Sequence, residues 1–364
     1  MVQRVCLGLL LVGLAVGSLG CDTEDPVGSQ PSFDVDALFA APTDAERAAV
    51  EAEWAARTSI PEEIRLEQST PLNVRGQAGT VHIYSFLIDS SRRYGAVLVP
   101  NVAEPGSTPV LLLAPPGAEG SGSPLLLDAV GSYLELGAGA FIFVMPSFRG
   151  EPFRSTTQSW VTEGPPSPWD GDVDDALALL DLVFEEVPAA DPGRVAALGI
   201  GRGGTSVLMM AIRDSRIDAV VSFFGTTDFL GPFMRGVTID ALGGRIAGGV
   251  PGVFALYDLV YEPVQAGSMT VAEARHELLL RSPLHFVERL PRVQLHHGIE
   301  DPVTPVAESE AVLDALQSLG RGPEEVEAHF YEGVGAQHTA ELLGAFAEAR
   351  EFLLDATSAP GPEE

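Results

Sequence analysis

The run Arg194-Val-Ala-Ala-Leu-Gly-Ile-Gly-Arg-Gly-Gly204 passes from a buried strand into a glycine-rich turn, and Thr205 to Arg213 continues it as a helix. Continuous apolar residues before the turn are the mark of a strand covered on both faces. Gly199, Gly201 and Gly203 alternate through the bend. Glycine lets a backbone take left-handed angles and lets neighbouring backbones approach closely. The tip of the turn is Gly201, which carries no side chain.

The flanking segments predict a layered α/β chain. Residues 81–88 and 94–100 read as a leading antiparallel pair of strands. Residues 109–114 and 141–145 are short apolar runs suited to central parallel strands. Further strands are expected at 219–224, 293–297 and 325–331. Helices are expected at 125–136, 172–186, 306–319 and 338–354. Strands alternating with helices imply an α/β class, with a doubly wound, mostly parallel sheet. Residues 229–281 are too many for a simple connection and are read as a helical cap over the sheet's C-terminal edge. One domain is therefore expected over 64–355, with a tail at 356–364.

The 364 residues carry a formal net charge of −30, and 46% of them are hydrophobic. That is ample for a core, and an acidic surface of this kind repels nucleic acid and anionic headgroups. No nucleic-acid partner is expected. Residues 1–20 read as an export signal: Arg4 precedes a short apolar run, too short to span comfortably as a membrane helix. The ending Ser18-Leu19-Gly20-Cys21 resembles a bacterial lipobox, which implies cleavage before Cys21, lipid on its sulfur and a membrane anchor at the cell envelope. Cys21 is the only cysteine beyond the signal, so no intrachain disulfide can form. Residues 22–42 read as a tether. Thr43 and Glu46 form a capping box that opens a short amphipathic helix over 45–56, so 21–63 is an anchored lead-in.

Four other segments accompany the glycine turn. Gln294-Leu-His-His-Gly-Ile-Glu-Asp-Pro-Val-Thr-Pro305 is a strand and a turn bearing Asp301. Tyr331-Glu-Gly-Val-Gly-Ala-Gln-His338 brings His338 to a loop before the last helix. Met145-Pro-Ser-Phe-Arg-Gly-Glu151 and Arg281-Ser-Pro-Leu284 complete the set. In this order they resemble the catalytic domain of prolyl-oligopeptidase-type α/β-hydrolases and their esterase relatives, over residues 64–354. The resemblance implies an α/β-hydrolase fold with a G-x-S-x-G nucleophile elbow, followed in chain order by an acid and a histidine. Residue by residue, Gly201 stands where the serine would be, Asp301 at the acid and His338 at the histidine. The oxyanion hole falls to the N–H of Arg202 and to Gly117 or Ala118, because Pro115 and Pro116 cannot donate.

A serine hydroxyl attacks only when a histidine takes its proton and an acid orients that histidine. With glycine at 201, ordinary triad chemistry is lost. The expected function is a degenerate serine hydrolase that binds a small ester, a peptide or a partner. The alternative is an active peptidase or carboxylic-ester hydrolase that uses water, or an unrecognised nucleophile, with His338 and Asp301. Thr205 and Ser206 are expected to point away from the elbow tip, and Ser147 to be a turn residue. His296 and His297 are adjacent on a strand and must face opposite sides. No histidine has ligand spacing, so neither metal nor cofactor is expected. Asp174, Asp175 and Asp228 read as helix-surface and turn residues.

Overall fold

The structure is a computed structural model, and it describes residues 32–116, 131, 134–155, 157–245, 250, 252–335 and 343–359. Its centre is a nine-stranded sheet. The strands are β1 (Glu62–Val74), β2 (Gln77–Ile88), β3 (Ser91–Pro100), β4 (Thr108–Ala114), β5 (Ile142–Pro146), β8 (Ala190–Ile200), β9 (Ile217–Phe223), β10 (Arg292–Glu300) and β11 (Val326–Gly335). Two three-residue strands, β6 (Pro152–Arg154) and β7 (Ser159–Val161), form a separate hairpin. The order across the sheet is β1-β2-β3-β5-β4-β8-β9-β10-β11. From β5 to β11 every neighbouring pair is parallel, whereas β1, β2 and β3 are antiparallel, as is the β3–β5 join.

The central strands show why continuous apolar runs predict them. Val110, Leu112 and Ala114 of β4 face one core cluster, and Leu111 and Leu113 face the other. Side chains alternate across a strand, so both faces must be apolar when both are covered. Helices Gly171–Glu186, Arg202–Arg213 and Ala307–Ser318 pack on the first face. Helix Leu343–Ala356 covers the second through Phe346, Phe352 and Leu353. The sheet is therefore doubly wound.

Strand β1 has no counterpart in the sequence reading. It is largely exposed along its length and pairs only with β2. Burial imposes no alternation on it, which is why its pattern is unreadable. Two register shifts, Pro71 and a run of charges mark it as an edge strand, features that discourage pairing with other chains.

The segment before the sheet folds onto the domain. Of residues 22–42, expected as a tether, the described part begins at Ser32 and is docked. Leu38 is fully buried in the short helix Val35–Leu38. The Arg275 guanidinium donates to the carbonyls of Ala37, Leu38, Ala40 and Ala41 and pairs with Glu46. The helix Asp44–Ala56 opens on the Thr43/Glu46 capping box and buries Val50 and Trp54. Trp54 meets Phe286 edge-on, with ring centroids 4.7 Å apart.

Within residues 229–281, helices run over Pro232–Leu242, Val253–Leu256, Glu262–Ala266 and Val271–Leu279. A π-helical turn at Tyr257–Tyr261 joins the middle two. Arg281, almost fully buried, ties this cap to the body by donating to the Pro168 carbonyl.

Candidate active site

The elbow is held by glycines that pack and one that does not. A Cβ on Gly199 would collide with the Gly203 carbonyl, and one on Gly203 with the Ala114 carbonyl of β4. A Cβ on Gly204 would lie 2.6 Å from the Phe223 carbonyl of β9. These three residues let β8, the elbow helix and both neighbouring strands approach more closely than any side chain permits. Gly201 is different. Its φ is +56° and its ψ is −118°, a conformation that favours glycine. Among the described residues a Cβ there would meet nothing nearer than the Pro116 carbonyl, 3.9 Å away. The Gly201 N–H donates to the Phe223 carbonyl at 2.8 Å, which anchors the turn to β9.

Arg202 is the first residue of the elbow helix, so its N–H has no intrahelical acceptor. Its side chain is buried and lies against the Phe148 ring, 4.3 Å from the centroid. It pairs with Glu151 and with the fully buried Asp172. Burial alone pushes its pKa down, but Asp172 and Glu151 more than reverse this, so the group is held charged. Beside it, Asp175 accepts from Arg149 and pairs with Arg93 at 2.9 Å. Asp174 pairs with Arg57 and Arg213. The expectation of helix-surface aspartates at 174 and 175 is thus wrong: Asp175 is buried, and Asp174 is mostly so. Each faces arginines from elements distant in sequence, and such partners leave no local period. The missed signal is Asp172 and Asp175 at a three-residue spacing on one helix face, with Arg149 and Glu151 just upstream.

Asp301 follows β10. Its Oδ1 accepts the N–H groups of Val303 at 2.7 Å and Thr304 at 3.0 Å, so one oxygen shapes the turn. Its Oδ2 lies 3.8 Å from the His297 Nε2, and the side chain is 5% exposed. Strands β10 and β11 run parallel, with Glu300 opposite Gly335, so both chains leave the sheet at the same edge. His338, three residues beyond Gly335, lies outside the described residues. So do Gly117, Ala118 and Cys21.

The other hydroxyls do not replace the missing one. Thr205 Oγ1 donates to the Thr226 carbonyl and Ser206 Oγ to the Arg202 carbonyl. Ser147 is buried. None of the three lines the cleft beside the elbow. His296 and His297 do face opposite sides. His296 stacks on Phe223 with centroids 4.4 Å apart, and His297 bonds Ser309 of the helix behind the other face. Burial holds His296 well below its usual pKa, so it is neutral. Asp228 accepts the N–H of Leu230 and pairs with His285 at 2.9 Å, a turn role. Among the described residues no group of three or more ligating side chains could hold a metal, and no helix is long and apolar enough to cross a membrane.

A cleft of about 450 Å³ opens next to Arg202. Residues of the hairpin strand β6, Pro166 and the cap residues Gly252, Phe254 and Ala255 line it. The arrangement offers an elbow tip whose side-chain place no described residue fills, at the start of the Arg202 helix. It also offers a carboxylate positioned by two backbone N–H groups at the same edge of the sheet.

No family model and no curated protein matches the sequence. Solved structures do resemble the fold. Acetyl xylan esterase 1 from Thermoanaerobacterium sp. JW/SL YS485 superposes with a TM-score of 0.56 at 18% identity, covering 91% of this chain and 96% of that one. The acetyl xylan esterase from Paenibacillus sp. R4 gives 0.57 at 17% identity, covering 90% and 97%. Porphyromonas gingivalis dipeptidyl peptidase 4 gives 0.50 at 16% identity, with 80% of this chain on 36% of that one. Parallel strands wound on both faces, a positive-φ turn from strand to helix and these superpositions together establish that the chain has the α/β-hydrolase fold that esterases and peptidases such as these share.

Proposed function

We propose that this protein is an exported α/β-hydrolase homologue that keeps the elbow and cleft of a serine hydrolase and lacks its nucleophile. It binds a small ester or a peptide without efficient turnover. One observation carries the reading. Gly201 holds the positive φ of an elbow tip, and among the described residues nothing lies nearer than 3.9 Å to where a Cβ would be. Backbone shape and space for a hydroxyl are both kept, and the atom that would attack is missing. In this reading Asp301 orients His338, and the Arg202 N–H, with Gly117 or Ala118, faces the substrate carbonyl oxygen. Lipid on Cys21 holds the protein at the cell envelope, and Cys21→Ser is expected to move it from the detergent phase to the aqueous phase.

The test restores the atom. Gly201→Ser is expected to be labelled by a fluorophosphonate probe and to hydrolyse short esters above the wild-type rate. Adding His338→Ala is expected to abolish both. A folded Gly201→Ser protein that neither labels nor hydrolyses overturns the degenerate-triad reading. Turnover by the wild type, abolished by His338→Ala, favours the water route. There, His338 takes a proton from water as its oxygen adds to the carbonyl carbon, then returns that proton to the leaving group.

A further inference from the structure

We infer that the cleft beside Gly201 selects ligands that carry a carboxylate, and that Arg154 is the residue that reads it. This deepens the proposed function and rests on it for the cleft being the binding site. Three arginines and one glutamate line the cleft: Arg149, Arg154, Arg202 and Glu151. Two of the arginines are already committed. Arg202 is paired with Glu151 and Asp172, and Arg149 with Asp175, which also pairs with Arg93. Arg93, Arg149 and Arg202 are thus each paired with a carboxylate among Glu151, Asp172 and Asp175.

Arg154 stands outside those pairs. It lines the same cleft, is exposed, and has no hydrogen bond or ion pair to another described residue. Its backbone is held in β6, where it pairs with Ser159 of β7. Among the described residues that line the cleft it is the cation with no paired carboxylate, on a chain whose net charge is −30. A local cation in a walled cleft draws an anion even when the whole protein repels it. The guanidinium fork matches the two oxygens of a carboxylate.

The remaining lining sets the other half of the ligand. Phe254, 56% exposed, stands on the cap side, with Ala255 and Gly252 beside it. Pro152 and Pro166 line the same cleft. An exposed phenyl and two prolines in one concave site suit a flat apolar group. The ligand class is therefore a small carboxylate with an aromatic or apolar acyl portion, such as an N-acylated amino acid.

The test uses N-benzoylglycine and its neutral amide, titrated calorimetrically into the folded mature protein. The acid is expected to bind roughly tenfold or more tighter than the amide, the size of one charge-assisted hydrogen bond. Arg154→Gln is expected to erase that preference while leaving the amide unchanged, and Arg154→Lys to restore part of it. Phe254→Ala is expected to weaken both ligands alike. Equal affinity for acid and amide, a preference that survives Arg154→Gln, or no binding of either compound overturns the inference. Fluorophosphonate labelling of Gly201→Ser does not depend on Arg154. It therefore reports on the elbow separately, and loss of labelling is a failure of the functional reading instead.

Discussion

Gly201 and Gly203 sit two residues apart in one turn, and they are glycines for different reasons. At Gly203 the backbone of β4 fills the place of a Cβ, and Gly199 and Gly204 are hemmed in similarly by the elbow helix and β9. At Gly201 no described residue comes nearer to the place of a Cβ than the Pro116 carbonyl, and the backbone angle favours glycine. The base of the elbow belongs to the packing of the sheet, so any side chain there disturbs several strands. The tip is tied to β9 through its backbone N–H, and its side-chain place packs against no described strand. Fold and chemistry are therefore held by different residues of one short motif, and the second can be lost without touching the first.

The largest expected effect is at the base. Gly203→Ala drives a methyl into a strand carbonyl that cannot rotate away, and overpacking of this kind costs about 1–3 kcal/mol and occasionally more, here at the upper end because the clash is with backbone. Urea denaturation measures it, and wild-type stability in that variant would mean that the base is not packed as described. Arg202→Ala is next. It leaves Asp172, which is 0% exposed, without its cation. Removing one partner of a buried pair costs about 3 kcal/mol, and Arg202→Ala with Asp172→Ala together should recover part of that loss in a double-mutant cycle. A smaller change is expected at the tip. Gly201→Ala and Gly201→Ser should each cost about 1–3 kcal/mol for backbone strain, because a Cβ there meets no described residue nearer than 3.9 Å. Any difference between the two reports a partner for the serine hydroxyl, the role the proposed function gives His338.

The smallest effect lies away from the elbow, at the clasp. Hydrogen bonding from Arg275 is the largest influence on Glu46 and lowers its pKa to about 2. A carboxylate depressed on folding stabilises above its unfolded pKa of 4.5, and that contribution fades as pH falls from there toward about 2. The Glu46 side chain is 31% exposed, so solvent screening keeps the benefit below about 1 kcal/mol. Thermal melts of Glu46→Gln should show a deficit at pH 7 that closes by pH 2, with the cleft unaffected. A deficit independent of pH would place its origin in packing.

How far the sequence discloses these regions follows from how local their causes are. Strands β4, β5, β8 and β9 are buried on both faces, and their composition states it directly. The elbow is legible because its glycines answer to neighbours a few residues away. Asp301 is legible as a turn residue after a strand, and its Oδ1 does hold that turn. Strand β1 is not legible, since an exposed edge strand is defined by its partner β2 and not by burial. The hairpin of β6 and β7 is too short to show a period. The pairing of Arg202 with Asp172 spans 30 positions, and neither end announces the other. Charged residues read as surface until the fold brings their counterions to them.

Arg275 has a mechanical consequence. One guanidinium grips four consecutive-region carbonyls of the lead-in, from Ala37 to Ala41, while its own helix belongs to the cap. Tension applied to the chain N-terminal to Ser32 therefore travels through this grip into the cap before any strand of the sheet feels it. The hydrogen bonds at Arg275 share that pull side by side, whereas beyond it the cap is tied to the body at Arg281, through the Pro168 carbonyl. A stretched molecule should yield first where cap meets cleft, so a leash at its amino end would act as a handle on the cleft's roof.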